Sequence, residues 1–240
     1  MITQLIEKGK FALDKHRFPS YNNTVQCSDN KYHLESETMA EGTARERRHA
    51  RTKQAILDAA QQIIAERGTE GLSMREIAQR IEYSPSGLYE YFRGKDEIIQ
   101  GLCDEGFDRL AERIRYRIAT EHTPIQRLIA SGVAYLEFAT QHREQYMLMF
   151  NTISDMHLSL EEIGGNSAYG LLKQAVQECI DAHEFKVHEH YGQEEMSYQL
   201  WALMHGIAML RLTLFNNESA DFDTFNRQIL KEATENLRSS

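Results

Sequence analysis

Proline is scarce. Three prolines in 240 residues leave almost every position free to enter a helix. Cysteine is equally sparse: Cys27, Cys103 and Cys179 stand far apart and form no paired motif, which excludes a disulfide framework and a cysteine zinc site and fits reduced thiols in a cytoplasmic protein. Cys103 and Cys179 fall at apolar helical positions and read as small core residues. No apolar run is long enough to cross a bilayer. The most apolar segment, residues 200–215, is too short and contains His205 and Arg211, so it reads as a buried or interface helix. A secretory signal pattern is missing as well. There is no glycine-rich phosphate loop, no HExxH and no nucleophile elbow, so neither an enzyme nor a bound cofactor is expected. Strand-like alternation is absent too, and the fold class is therefore all-α.

What is present is concentrated in residues 43–97, TARERRHARTKQAILDAAQQIIAERGTEGLSMREIAQRIEYSPSGLYEYFRGKDE. Thr43 with Glu46 makes a capping box, and Ile56, Ala59 or Ala60, Ile63 and Ile64 recur at helical spacing. Gly68 ends this helix as a left-handed C-terminal cap. Ser73 and Glu76 make a second box before a short helix over 74–81, with Ile77, Ala78 and Ile81 inward. Ser84 followed by Pro85 is an N-cap with proline at the first helical position, which predicts a third helix over about 85–92. Two short helices joined by a three-residue turn form a helix-turn-helix. Leu88 and Phe92 share the inward face, leaving Ser84, Ser86, Tyr89 and Glu90 outward with hydroxyls and a ring suited to base edges and phosphates.

SMREIAQRIEYSPSGLYEYFRGKDEII resembles the N-terminal domain of the tetracycline-repressor (TetR) family of bacterial transcriptional regulators, matching in order at Gly68, Ser73, Ile77, Ala78, Ser84, Leu88, Tyr89, Tyr91, Phe92 and Lys95. The resemblance implies a double-stranded DNA operator as partner, with Arg48, Arg51, Lys53, Ser73, Ser84, Pro85, Ser86, Tyr89, Glu90, Tyr91 and Lys95 as DNA-binding residues. In the turn where that family often has glycine, this chain has Glu82, and a non-glycine residue at positive φ costs on the order of 1 kcal/mol. Charge separates the chain the same way. Residues 39–95 balance at +2, whereas everything from residue 96 onward balances at −11, so the acidic whole conceals a basic head. Arg45, Arg47, Arg48, Arg51 and Lys53 cluster where they can neutralise phosphates.

Three segments follow from these patterns: a leader over 1–38, poorly ordered or preceding a native start at Met39; the DNA-binding domain over 43–95; and a helical regulatory and dimerisation domain over 96–240. Apolar spacing predicts helices over 96–119, from Thr123 and Pro124 onward, over 143–150, 168–183 and 222–237. Trp201, His205 and Gly206 in WALMHGIAML resemble the signature of a TetR C-terminal subfamily named for its Trp-His-Gly motif. This resemblance implies a homodimer whose last two helices form a four-helix bundle, with Ala202, Gly206, Met209 and Leu210 at the interface. It also implies a pocket for a small-molecule effector, lined by Tyr135, Phe138, Tyr146, Met147, Phe150, Tyr169, Leu172, Trp201 and His205. The expected function is a ligand-responsive repressor. The alternative is a constitutive or metal-responsive DNA binder, the metal reading resting on His183, His188 and His190 among glutamates, a spacing that is not a strong ligand motif.

Overall fold

The computed structural model describes residues 43–151 and 167–238; the leader over 1–38 lies outside them. Nine α-helices occur among the described residues: α1 (Ala44–Arg67), α2 (Met74–Arg80), α3 (Pro85–Leu88), α4 (Lys95–Ile118), α5 (Pro124–Gln141), α6 (Arg143–Asn151), α7 (Ala168–Asp181), α8 (Gln193–Leu212) and α9 (Phe222–Glu235). The same residues hold no strand, only two isolated bridges, Phe185 with Arg238 and His188 with Tyr191.

Helix starts follow their local codes. At α1 the Thr43 hydroxyl accepts from the Glu46 amide at 3.3 Å while the Thr43 amide donates to the Glu46 carboxylate at 2.7 Å. Thr123 and Gln126 exchange the same pair at α5, each at 3.2 Å, with Pro124 at the first position. The second expected box is only half formed. Ser73 accepts from the Glu76 amide at 3.2 Å, but the Glu76 carboxylate binds Arg67 at the end of α1 and lies 3.8 Å from Arg80. Arg80 in turn bonds Glu66, so two ion pairs tie α1 to α2.

Helix ends are less regular than their sequences. Gly68 has φ 70° and ψ 177°, outside the left-handed helical well expected for it, in a region open essentially to glycine alone. Two ends use a Schellman motif with a side chain at the left-handed position. After α2, Glu82 has φ 53°, its amide donates to Gln79 and the Tyr83 amide donates to Ala78 at 2.8 Å. After α7, His183 has φ 57°, its amide donates to Ile180 and the Glu184 amide donates to Cys179, each at 2.9 Å.

Two cores organise these helices. The head core gathers Ile56, Ile63, Ile77, Leu88 and Phe92 from the first three helices and their flanks. It also takes Ile98, Ile99, Leu102 and Cys103 from α4 and Leu148 from α6. The larger core begins on α4 at Leu110 and includes α5, α7 and α8 and the inward residues of α9. The change of core therefore falls inside α4, between Cys103 and Leu110, and not at its start near residue 96. Burial pushes the Cys103 thiol up to about 11 and the Cys179 thiol up to about 12, so both are protonated packing groups.

Candidate functional site

The reading face is assembled at α3. Ser84 caps it, its hydroxyl accepting from the Gly87 amide at 3.1 Å and lying 3.3 Å from the Ser86 hydroxyl. Leu88 is fully buried beneath, which turns Tyr89, 58% exposed, and Glu90 outward with Pro85 and Ser86. Regular α-helix stops at Leu88, short of the expected residue 92. The next turn tightens instead: Glu90 donates to Gly87 and Tyr91 to Leu88 over three residues, while Phe92 still reaches Leu88 at 3.0 Å.

Two of the expected DNA contacts also pack within the head. Tyr91 is partly buried, its ring stacked on His49 of α1 with centroids 4.5 Å apart and edge-on to Tyr83 at 6.3 Å. It holds the end of the reading segment against α1. Lys53 is also half-buried, its ammonium over the Phe92 ring at 5.8 Å, because the helical face it shares carries it toward the head core. Ser73 is spent in part as the α2 cap. Arg48, Arg51 and Lys95 remain exposed, as phosphate contacts require. The His49–Tyr91–Tyr83 cluster was not legible from periodicity, since none of the three sits at a core position of its helix.

A second constellation lies in the larger core. The Tyr146 hydroxyl is 2.8 Å from His205 Nδ1 and 2.8 Å from the Tyr135 hydroxyl, which is itself 3.3 Å from the same nitrogen. Around this triad Trp201 meets Tyr135 at 5.1 Å and Tyr169 at 5.4 Å, and Phe150 meets His205 at 4.6 Å. Burial raises both tyrosine hydroxyls well above their ordinary range and lowers His205. Burial therefore favours the neutral imidazole, with Nδ1 in hydrogen-bond reach of both hydroxyls. The Tyr169 hydroxyl is buried with no hydrogen-bond partner among the described residues. Of the other expected lining residues, Leu172 and Phe138 are buried, Phe138 against His142 at 5.0 Å, and Met147 is partly buried. A cavity of about 300 Å³ lies elsewhere, between α5, the end of α8 and the start of α9.

On α8 the Trp-His-Gly residues divide their faces. Trp201 and His205, four apart, point into the aromatic cluster, while nothing lies within 4 Å of the Cβ position of Gly206. Ala202 and Leu210 are exposed and Met209 is partly buried. Among the described residues no three His, Cys, Asp or Glu side chains are grouped to hold a metal, and His183 is committed to the helix end described above. No helix among them is long and apolar enough to cross a membrane.

Comparison with known proteins agrees with this layout. Residues 56–102 match the model of bacterial regulatory proteins of the tetR family, and residues 128–232 match the tetracyclin repressor-like C-terminal domain. The HTH-type transcriptional activator FasR of Mycolicibacterium smegmatis is 27% identical over 127 residues, which are 53% of this chain and 54% of FasR. The chain thus spans about half the length of that relative. Among solved structures, a protein of unknown function from Rhodococcus sp. RHA1 has a TM-score of 0.67 at 22% identity, covering 78% of this chain and 95% of its own. FadR of Bacillus subtilis, in complex with stearoyl-CoA, has a TM-score of 0.61 at 17% identity, covering 75% and 97%. At these identities the two structures establish the fold. With an N-terminal and a C-terminal match in their expected order, the chain belongs to the TetR family of bacterial regulatory proteins.

Proposed function

We propose that the chain is a homodimeric repressor that binds a near-palindromic operator and is released when a small organic effector enters the Tyr135–Tyr146–His205 cluster. The observation that carries this reading is the position of α6. Its Tyr146 hydroxyl bonds His205 in the larger core, while Leu148, two residues on, is packed in the head core beside Cys103. One nine-residue helix therefore touches both the effector cluster and the base of the DNA-reading head. A ligand that displaces Tyr146 shifts the ground on which the head stands.

The cluster's chemistry sets the class of effector. Its walls are aromatic, its polar groups are neutral hydroxyls and an imidazole, and Tyr169 adds a hydroxyl free to bond a ligand. An uncharged or weakly polar organic molecule fits such walls better than a metal ion or a highly charged one. FadR, of the same fold, is known in complex with stearoyl-CoA, which supports an organic molecule as the class of effector. Trp201 and His205 facing inward and Gly206 facing outward support the Trp-His-Gly subfamily, with Ala202, Gly206, Met209 and Leu210 meeting a second copy. A two-fold dimer lets two weakly binding heads read two half-sites. The effector acts by favouring one head spacing over another, a coupling of typically about 1–3 kcal/mol.

Gel shifts on DNA flanking the protein's own gene test this directly. A retarded band that an organic extract fraction abolishes supports the reading. Loss with a chelator instead supports a metal-responsive binder, and indifference to both supports a constitutive one. In a reporter strain, deleting the gene should raise expression; a fall would make the protein an activator, as FasR is named.

A further inference from the structure

Three rings line the seam between α1 and the reading segment. Tyr91 stands in the middle, stacked on His49 with centroids 4.5 Å and planes 29° apart, and edge-on to Tyr83 at 6.3 Å. Core packing does not account for the outer two. His49 and Tyr83 lie outside the head core and both are exposed, Tyr83 by 41%. Tyr83 is nevertheless held in place: a Cβ on Gly87 would fall 2.6 Å from its Cε1 and 3.0 Å from its Cδ1, so the ring fills the space that this glycine leaves open on α3, beside the Ser84 cap.

The array presents hydrogen-bond donors. A hydrogen bond with Tyr91 raises the Tyr83 hydroxyl above its ordinary range, and the Glu90 carboxylate adds to this, so the phenol keeps its proton. An imidazole carries at least one N–H in either ionisation state. On α1, His49 shares a face with Arg45 and Thr52 and adjoins Arg48, and both arginines are exposed. Glu46, the carboxylate of that stretch, is turned back onto the Thr43 amide at 2.7 Å. Rigidly held donors in a basic stretch beside the reading segment suit a phosphate oxygen, the group that fixes a protein's register on a duplex.

We propose that His49 and Tyr83 grip one phosphate of the DNA backbone, the imidazole N–H and the phenol hydroxyl each donating to a phosphate oxygen while Tyr91 sets the spacing between them. This contact rests on the DNA-binding part of the function proposed above. His49→Phe and Tyr83→Phe keep the rings and remove only the donors. On the shortest duplex from the DNA flanking the gene that the wild type retards, each should weaken binding about tenfold. The same titrations are then repeated on duplexes carrying a neutral methylphosphonate, moved one position at a time. At one position the wild type should lose affinity and the deficit of both variants relative to it should shrink, because the contact they lack is already gone. Wild-type affinity in either variant overturns the contact. So does a deficit that stays the same at every methylphosphonate position, which would make the rings structural. A wild type that retards none of the flanking duplexes overturns the DNA-binding reading itself, and this contact with it.

Discussion

Single residues decide two features of this molecule. Glu82 holds φ 53° at the turn between α2 and α3 because the Schellman bonds of Tyr83 and Glu82 demand a left-handed residue there. A side chain in that well costs on the order of 1 kcal/mol that glycine avoids. Glu82→Gly should therefore raise the urea midpoint of the protein, by an amount equivalent to about 1 kcal/mol or less once the added chain entropy of glycine is offset. An unchanged or lower midpoint would show the turn to be unstrained. His205 decides the other feature. Burial lowers its proton affinity, so the unfolded chain takes up a proton that the folded one refuses. Stability is then complete above the ordinary imidazole value of about 6.5 and is lost as pH falls through the lower folded value. His142 is lowered in the same direction by burial and by the nearby Arg113 and Arg109. Replacing His205 with Gln should flatten the acid side of the curve of Tm against pH, leaving the slope due to His142. If the slope is identical in the variant, the imidazole does not titrate as its burial requires.

At the scale of elements, the helix caps were legible in the sequence because each is encoded by two residues at fixed spacing. Thr43 with Glu46 and Thr123 with Gln126 both form as read. The aromatic cluster was legible for a different reason: Tyr135, Tyr146 and His205 sit among apolar residues of separate helices. Which core a helix serves was not legible. The apolar stripe of α4 runs unbroken from Ile98 to Ile114, and nothing in its period marks where one core ends. The packing of Tyr91 and Lys53 within the head was not legible for a related reason, since a ring or a long aliphatic stem can face outward or fold back on its neighbours with the same local sequence. The junction of α4 and α6 shows how tightly the two cores are joined. A Cβ at Gly106 would fall 2.5 Å from Met149 Sδ and 3.2 Å from Gln145 Cγ, and Met149 is fully buried. Gly106→Ala should cost about 1–3 kcal/mol by overpacking. It should also change the effector concentration needed to release DNA, because α6 is forced away from α4. Destabilisation with an unaltered release curve, measured by fluorescence anisotropy on labelled operator, would remove α6 from the coupling path.

On the scale of the whole molecule, affinity for DNA and the existence of a dimer are one problem. The head balances at only +2, and the rest of the chain at −11, so a single copy has little electrostatic hold on a phosphate backbone. In the proposed reading, exposed Arg48, Arg51, Tyr89 and Lys95 supply the contacts and a second copy doubles them. Tyr89→Ala and Lys95→Ala should weaken operator binding while light scattering still reports a dimer, and Lys95→Ala should lower the salt slope by about one. The partner surface is where folding and assembly can be separated. Because nothing lies within 4 Å of the Cβ position of Gly206, a side chain there starts into open space, and Ala202 beside it is exposed. Gly206→Leu should therefore leave the circular dichroism and unfolding of the subunit close to native. In a two-fold contact the added side chain appears twice, facing a helix that approaches closely, and the dimer is lost. Operator affinity should then fall far more than for any single head variant, since both half-sites can no longer be held at once. A variant that is folded, still dimeric by light scattering and still tight on its operator would place the interface on another face.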